Sequence, residues 1–135
     1  MINRHTFYML DVFAEERYAG NQLAVFREAG DIPAGEMQQI AREINFSETT
    51  FILSDEAGEG GYDVRIFTPK EEVPFAGHPT LGTAHVIGSQ ILNGKAEGVR
   101  LNLKAGQIPV TFGADGRGWM RQLQPQFGAQ HAADT

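Results

Sequence analysis

The chain has 135 residues, 41% hydrophobic and 21% charged, with a formal net charge of −6 and no cysteine. That length is enough for one domain with a core of its own. The acidic balance and the lack of any basic run argue against a nucleic-acid or membrane-surface binder, and the missing thiols exclude disulfides, thiolate metal sites and cysteine catalysis.

The opening MINRHTFYML has neither the apolar core nor the cleavage site of a signal peptide, so a cytoplasmic protein is expected. Phe7 to Phe13 (FYMLDVF) is rich in strand formers, Tyr18-Ala19-Gly20-Asn21 breaks it with turn chemistry, and Gln22 to Arg27 reads as a second strand. Asp31 to Asn45 reads as a helix, because Met37, Ile40, Ala41 and Ile44 fall on one face and Pro33 suits a first turn. Thr49 to Leu53 is a buried-type strand. Ser54 to Gly61 is a polar, glycine-rich loop. Tyr62 to Thr68 alternates, with Tyr62, Val64 and Ile66 on one face.

No charged residue stands between Glu72 and Lys95. Pro79, His85, Gln90 and Asn93 interrupt this run, so it is not a membrane span. Pro79 to Leu92 reads instead as a helix apolar on all sides, hence buried, with Gly82, Ala84 and Gly88 giving it a thin waist. Val99 to Leu103, Ile108 to Phe112 and Trp119 to Leu123 read as strands, with turns at Ala105-Gly106 and Asp115-Gly116. Pro125 to Thr135 carries no pattern and reads as a linker remnant or frayed tail, leaving 1–124 as the domain. About seven strands, mostly hairpin-connected, and two helices give an α+β protein: a curved mixed sheet wrapped around one buried central helix.

Four places carry candidate chemistry. Pro79 fits a first helical position, which makes His78 the expected cap and Gly77 a point of close backbone approach; the helix start from Pro79 to Leu81 would then seat an anion such as a carboxylate. His78 as a plain cap is the competing reading. Glu48, between Ser47 and Thr49 at the mouth of a buried strand, is either an exposed edge residue or an acid/base tuned by burial. Asn21 is a turn residue or a substrate contact from the same end of the sheet. Asp11, read as structural, would need a partner if it points inward. His85 reads as a satisfied core histidine. No His-x-x-x-His pair, Asp/His cluster or nucleotide-binding glycine loop is present, so neither a metal nor a nucleotide is expected.

Three blocks in order are more specific than any of these: LDVFAEERYAGNQLAVF, MQQIAREINFSETTFIL and VRIFTPKEEVPFAGHPTLGTAH. With them the chain resembles the N-terminal half of the PhzF-like (phenazine biosynthesis) family of isomerases, which share the diaminopimelate-epimerase fold. The resemblance spans about residues 7 to 87. It departs from the family pattern at Gln22, where Pro is usual. It implies that Glu48 is the general acid/base, that His78 works beside it, and that Gly20, Asn21, Ser47, Gly77 and Thr80 line the substrate. It implies a small carboxylate-bearing or amino-acid-like substrate and proton transfer without a cofactor. The cysteine-pair route of some epimerases is closed to a chain without cysteine. Family members have two similar lobes with the site between them, and nothing in this sequence matches the second. Three roles follow as expectations: the first lobe of an isomerase awaiting a complementing lobe, a homodimer that rebuilds a composite cleft, or a non-catalytic small-molecule-binding or partner subunit.

Overall fold

The computed structural model describes residues 5–12, 21–113 and 118–120. In chain order the elements are β1 (Phe7–Val12), β2 (Asn21–Phe26), α1 (Ala34–Ile44), β3 (Glu48–Ile52), β4 (Tyr62–Phe67), β5 (Glu72–Val73), α2 (Gly77–Val86), β6 (Gly98–Leu103), β7 (Gly106–Phe112) and β8 (Gly118–Met120). α2 runs on as a π-helical turn over Ile87–Ile91. The strands lie in the order β1-β2-β3-β4-β6-β7-β8, with β5 added to β4. Gly20, the Tyr18–Gly20 part of the first turn, the Asp115-Gly116 turn and the tail from Pro125 lie outside the described residues.

The strands are less hairpin-connected than the sequence suggested. β2 pairs with β3 in parallel, as β4 does with β6, while the other pairs are antiparallel. Parallel neighbours need a crossover. α1 makes the first crossover and α2 the second.

The two helices pack on opposite faces of the sheet. Residues of β2, β3 and β4 alternate between two cores. Leu23, Val25, Ile52, Tyr62, Val64 and Ile66 join Ala84, Val86 and Ile87 on the α2 side. Ala24, Phe26, Phe51 and Phe67 join Met37 and Ala41 of α1 on the other. α1 begins at Ala34, with Pro33 as its extended cap, later than the expected Asp31. It ends at Asn45, which turns left-handed (φ 61°) and donates its amide to the Ala41 carbonyl at 2.9 Å. The β6–β7 turn is Lys104-Ala105, and Gly106 opens β7 at φ 136°, a value that favours glycine.

The sheet curls. α2 packs against β1, β2, β3, β6 and β8, so it touches both edge strands of the sheet. Seven strands laid flat would span about 29 Å, against about 10–12 Å for a helix with its side chains. Both edges reach one helix only if the sheet wraps it. Pro79, Thr80, Gly82, Thr83, Ala84 and Val86 of α2 are buried, in line with the central-helix expectation. Two side chains correct the sequence reading. His85 is exposed, not a core histidine, because it lies on a side of α2 the strands leave open. Asp11 is exposed, on the same face of β1 as Phe7 and Met9, so its charge stays in water.

Two polar features outside the site set testable stabilities. The Thr49 hydroxyl, on the α1 side of β3, is fully buried with no hydrogen-bond partner. A buried orphan hydroxyl carries a desolvation cost of roughly 1–3 kcal/mol. Thr49→Val is therefore expected to leave the protein as stable or raise its Tm in thermal melts; a fall of several degrees would contradict that reading. The second feature is Glu72, which accepts two hydrogen bonds from the Arg65 guanidinium (2.8 and 2.7 Å) and one from Lys104 (3.0 Å), tying β4, β5 and the β6–β7 turn together. The Arg65 bonds, helped by Lys104, hold the Glu72 carboxyl below its ordinary range. A carboxylate whose pKa is lower folded than unfolded adds stability above its unfolded value, near 4.3, and loses it as pH falls through the folded value. Glu72→Gln should cost about 1 kcal/mol at neutral pH. In denaturant titrations the gap from wild type should close on acidification below the ordinary carboxylate range; a gap independent of pH would rule the ion pair out as its source.

Candidate active site

The parallel register sets Glu48 opposite Leu23, which puts the start of β3 at the end of the sheet where β2 also starts. Alternation along β3 turns Glu48, Thr50 and Ile52 toward α2, and Thr49 and Phe51 toward α1. α2 begins at the same end, so the first residue of β3 meets the first turn of α2. Glu48 Oε1 lies 2.8 Å from His78 Nε2, with side chains 17% and 14% exposed. Both contact atoms are sealed from solvent, and their distance is that of an ion pair.

The helix start differs from the sequence reading. Ala76 is the cap, in extended conformation (φ −154°, ψ 140°), and the helix begins at Gly77, so His78 lies inside the first turn. Pro79 is the third helical residue, where a missing N–H is still harmless. The first amide with an intrahelical acceptor is that of Thr80, which donates to the Ala76 carbonyl at 3.3 Å. The end of the helix that attracts anions is therefore at Gly77 and His78, not Pro79 to Leu81.

The other expected site residues fall as follows. Ser47 precedes Glu48 and is exposed. Asn21 opens β2, exposed, two residues before the partner of Glu48. Gly77 is half-buried at the helix start. Thr80 is fully buried and donates its hydroxyl to the Ala76 carbonyl at 2.7 Å, which fastens the first turn. Two surface hollows, of about 390 Å³ beside Tyr62, Arg100 and Thr111 and about 490 Å³ beside His85, Ser89 and Glu97, are not lined by Glu48 or His78.

The sequence reading missed one polar contact at this place. The hydroxyls of Thr50 and Thr83 lie 2.7 Å apart in the interior, joining β3 directly to α2. Buried threonines on both β3 and α2 were the available signal, though four of them stand in these two segments.

The family described as phenazine biosynthesis-like protein matches residues 10–133. Over 89 residues the chain is 49% identical to a trans-2,3-dihydro-3-hydroxyanthranilate isomerase of Pseudomonas fluorescens, covering 66% of this chain and 32% of the relative. An isomerase of the same name from Pseudomonas aeruginosa is 46% identical over 86 residues, covering 64% and 31%. This chain thus spans about a third of the length of these curated relatives. Among solved structures, a PhzF-family protein of Enterococcus faecalis superposes with a TM-score of 0.73 at 34% identity, covering 82% of this chain and 41% of that one. A hydroxyproline epimerase of Agrobacterium vitis superposes with a TM-score of 0.56 at 12% identity, over 84% of this chain and 40% of that one, a likeness of fold alone. The three sequence blocks, the curled sheet around α2 and the match over residues 10–133 place the chain in the PhzF-like phenazine biosynthesis family, on the diaminopimelate-epimerase-like fold.

Proposed function

We propose that this chain forms one wall of a cofactor-independent isomerase site, in which Glu48 is the general acid/base and His78 donates to the substrate or relays the proton. The observation that carries the reading is the 2.8 Å approach of Glu48 and His78, withdrawn from water at the open end of the sheet. Membership of a family whose named relatives are isomerases supports it. The substrate is a small unsaturated acid, and its carboxylate is drawn to the start of α2 at Gly77 and His78. Ser47 and Asn21 edge the same place, and Thr80 keeps the helix start in shape.

The chemistry is redox-neutral. The Glu48 carboxylate removes a proton from a carbon whose electron pair can spread into the conjugated system. Glu48, now a carboxylic acid, returns a proton to a different carbon of that system, and the double bonds shift. No electron acceptor is needed.

A second reading follows from the chain's span of about a third of its relatives' length. The opposing wall of the cleft then comes from elsewhere, either a complementing lobe or a second copy of this chain. Without it, the lobe binds small acids and catalyses nothing.

The test is hydrogen exchange in D2O with trans-2,3-dihydro-3-hydroxyanthranilate, followed by NMR on the full chain. Glu48→Gln should slow deuterium uptake and isomerisation by about 100-fold or more, the usual weight of a general acid/base. Wild-type rates in Glu48→Gln would sink the assignment. Light scattering across a concentration series runs alongside. Activity that rises with a dimer population supports the composite site; a monomer that binds the acid without exchange supports the binding role.

A further inference from the structure

We propose that Thr50 and Thr83 are positioning residues: their buried hydroxyl–hydroxyl bond is the second rung of a two-rung bridge between β3 and α2, and it fixes where Glu48 stands relative to His78. The proposal rests on Glu48 and His78 being the site.

The first rung is the Glu48–His78 contact at 2.8 Å, and the second is the Thr50–Thr83 contact at 2.7 Å. Glu48 and Thr50 are two residues apart on one face of a strand, about 6.6 Å along its axis. His78 and Thr83 are five residues apart on a helix, about 7.5 Å along its axis. The axial spacings are similar, and both contacts are present at once although His78 and Thr83 stand about 140° apart around the helix. Strand, helix and two rungs close a small ring, and a slip or rotation of α2 against β3 breaks both rungs together.

Apolar packing alone does not supply that constraint. By register Thr50 lies between Val25 and Ile66, and Ala84 follows Thr83 on α2; all three belong to the apolar core on this side, whose contacts have no direction. Close packing resists a shift of the helix but has no preferred direction, whereas a hydrogen bond weakens steeply with distance and angle. Inside the protein the penalty for breaking it is larger still, because both hydroxyls would be left without a partner. One directional bond in an otherwise apolar interface is a recognised way to fix register. The first rung is poorly suited to hold itself. Its two groups lie at the end of the sheet, and one of them must change protonation in the proposed reaction. Thr50 and Thr83 do not titrate in the working range, so the second rung is the same before and after proton transfer.

The experiment reads the His78 ring directly, without substrate. The full chain is labelled with 15N and its imidazole signals are followed by long-range 1H–15N correlation in Thr50→Val, Thr83→Val, Thr83→Ser and, as control, Thr49→Val. Thr49 sits between Glu48 and Thr50 on β3 but faces α1. The His78 signals are expected to move by several line widths, in the same direction, in Thr50→Val and Thr83→Val. They should return to the wild-type position in Thr83→Ser, which restores the hydroxyl, and stay in place in Thr49→Val. Unmoved His78 signals in folded Thr50→Val and Thr83→Val would overturn the proposal, as would an equal movement in Thr49→Val. If the single valine variants do not fold, the double variant Thr50→Val/Thr83→Val, which leaves no orphan hydroxyl, is read by the same criteria. The result is separable from the catalytic reading. Moved His78 signals alongside wild-type exchange rates in Glu48→Gln would remove the acid/base assignment and keep the bridge. Unmoved signals alongside a slow Glu48→Gln would do the reverse.

Discussion

The structure depends on burying α2. A helix packed against strands that include both edges of its own sheet has little surface open to water apart from the strip at His85, and the chain holds no charged residue between Glu72 and Lys95. It also has little room for bulk. Gly82, Thr83 and Ala84 in its middle are all buried, and a Cβ on Gly88 would come within 2.9 Å of the Phe112 ring. These small residues let the strands close in, and the closing of the strands makes the sheet curl. The position of the site follows. A buried helix brings its polar backbone toward water only at its ends. At the first end the parallel register of β2 and β3 also delivers Glu48. At the other the helix loosens into a π turn, and Asn93 and Gly94 turn left-handed to end it. Among the described residues of α2, the first end has an acid and an imidazole in contact.

What could be read from the sequence divides along physical lines. Strand alternation and the Met37, Ile40, Ala41, Ile44 stripe reflect burial on one face, and both appear in the structure as expected. The charge-free run reflects burial on all faces, and it too was legible. The start of α2 was not. Proline is tolerated at any of the first helical positions, because none of those amides has an acceptor within the helix, so Pro79 alone does not separate a start at Pro79 from one at Gly77. The parallel pairs were also hidden, because pairing direction is set by the crossovers rather than by the strands themselves. His85 was misplaced for the opposite reason. Uniform apolarity around it implied enclosure, but Leu81, His85 and Ser89 follow one another at helical spacing along a strip only partly covered by strands.

The candidate site was legible in its two ends and not in its middle. Glu48 and His78 stand in motifs specific enough to point at them, and the structure brings them together. Asn21 and Ser47 come to the same end of the sheet through register alone. Thr80 lies at the helix start but spends its hydroxyl on the Ala76 carbonyl. Thr50 and Thr83 gave no comparable signal, since a buried threonine in a strand resembles valine in shape and in strand preference. Thr49 illustrates the ambiguity: it neighbours Thr50 in sequence and is equally buried, yet its hydroxyl has no hydrogen-bond partner. Only the third dimension tells which of the two is polar for a reason.

One wall also limits the chemistry it can perform. Inverting a carbon centre requires a proton to leave from one face of the substrate and another to arrive on the opposite face. That calls for groups on both sides of the cleft. A proton shift along a conjugated system has no such requirement, because a single group lying over one face can take the proton at one carbon and return it at another. Under the proposed reading, Glu48 with His78 against it is a pair of that kind: one carboxyl and one imidazole in contact on one surface. If Glu48 acts alone, isomerisation on one face is the chemistry open to this chain. A second wall would then serve mainly to hold the substrate and exclude water. If the second wall brings its own acid, inversion becomes available on the same fold.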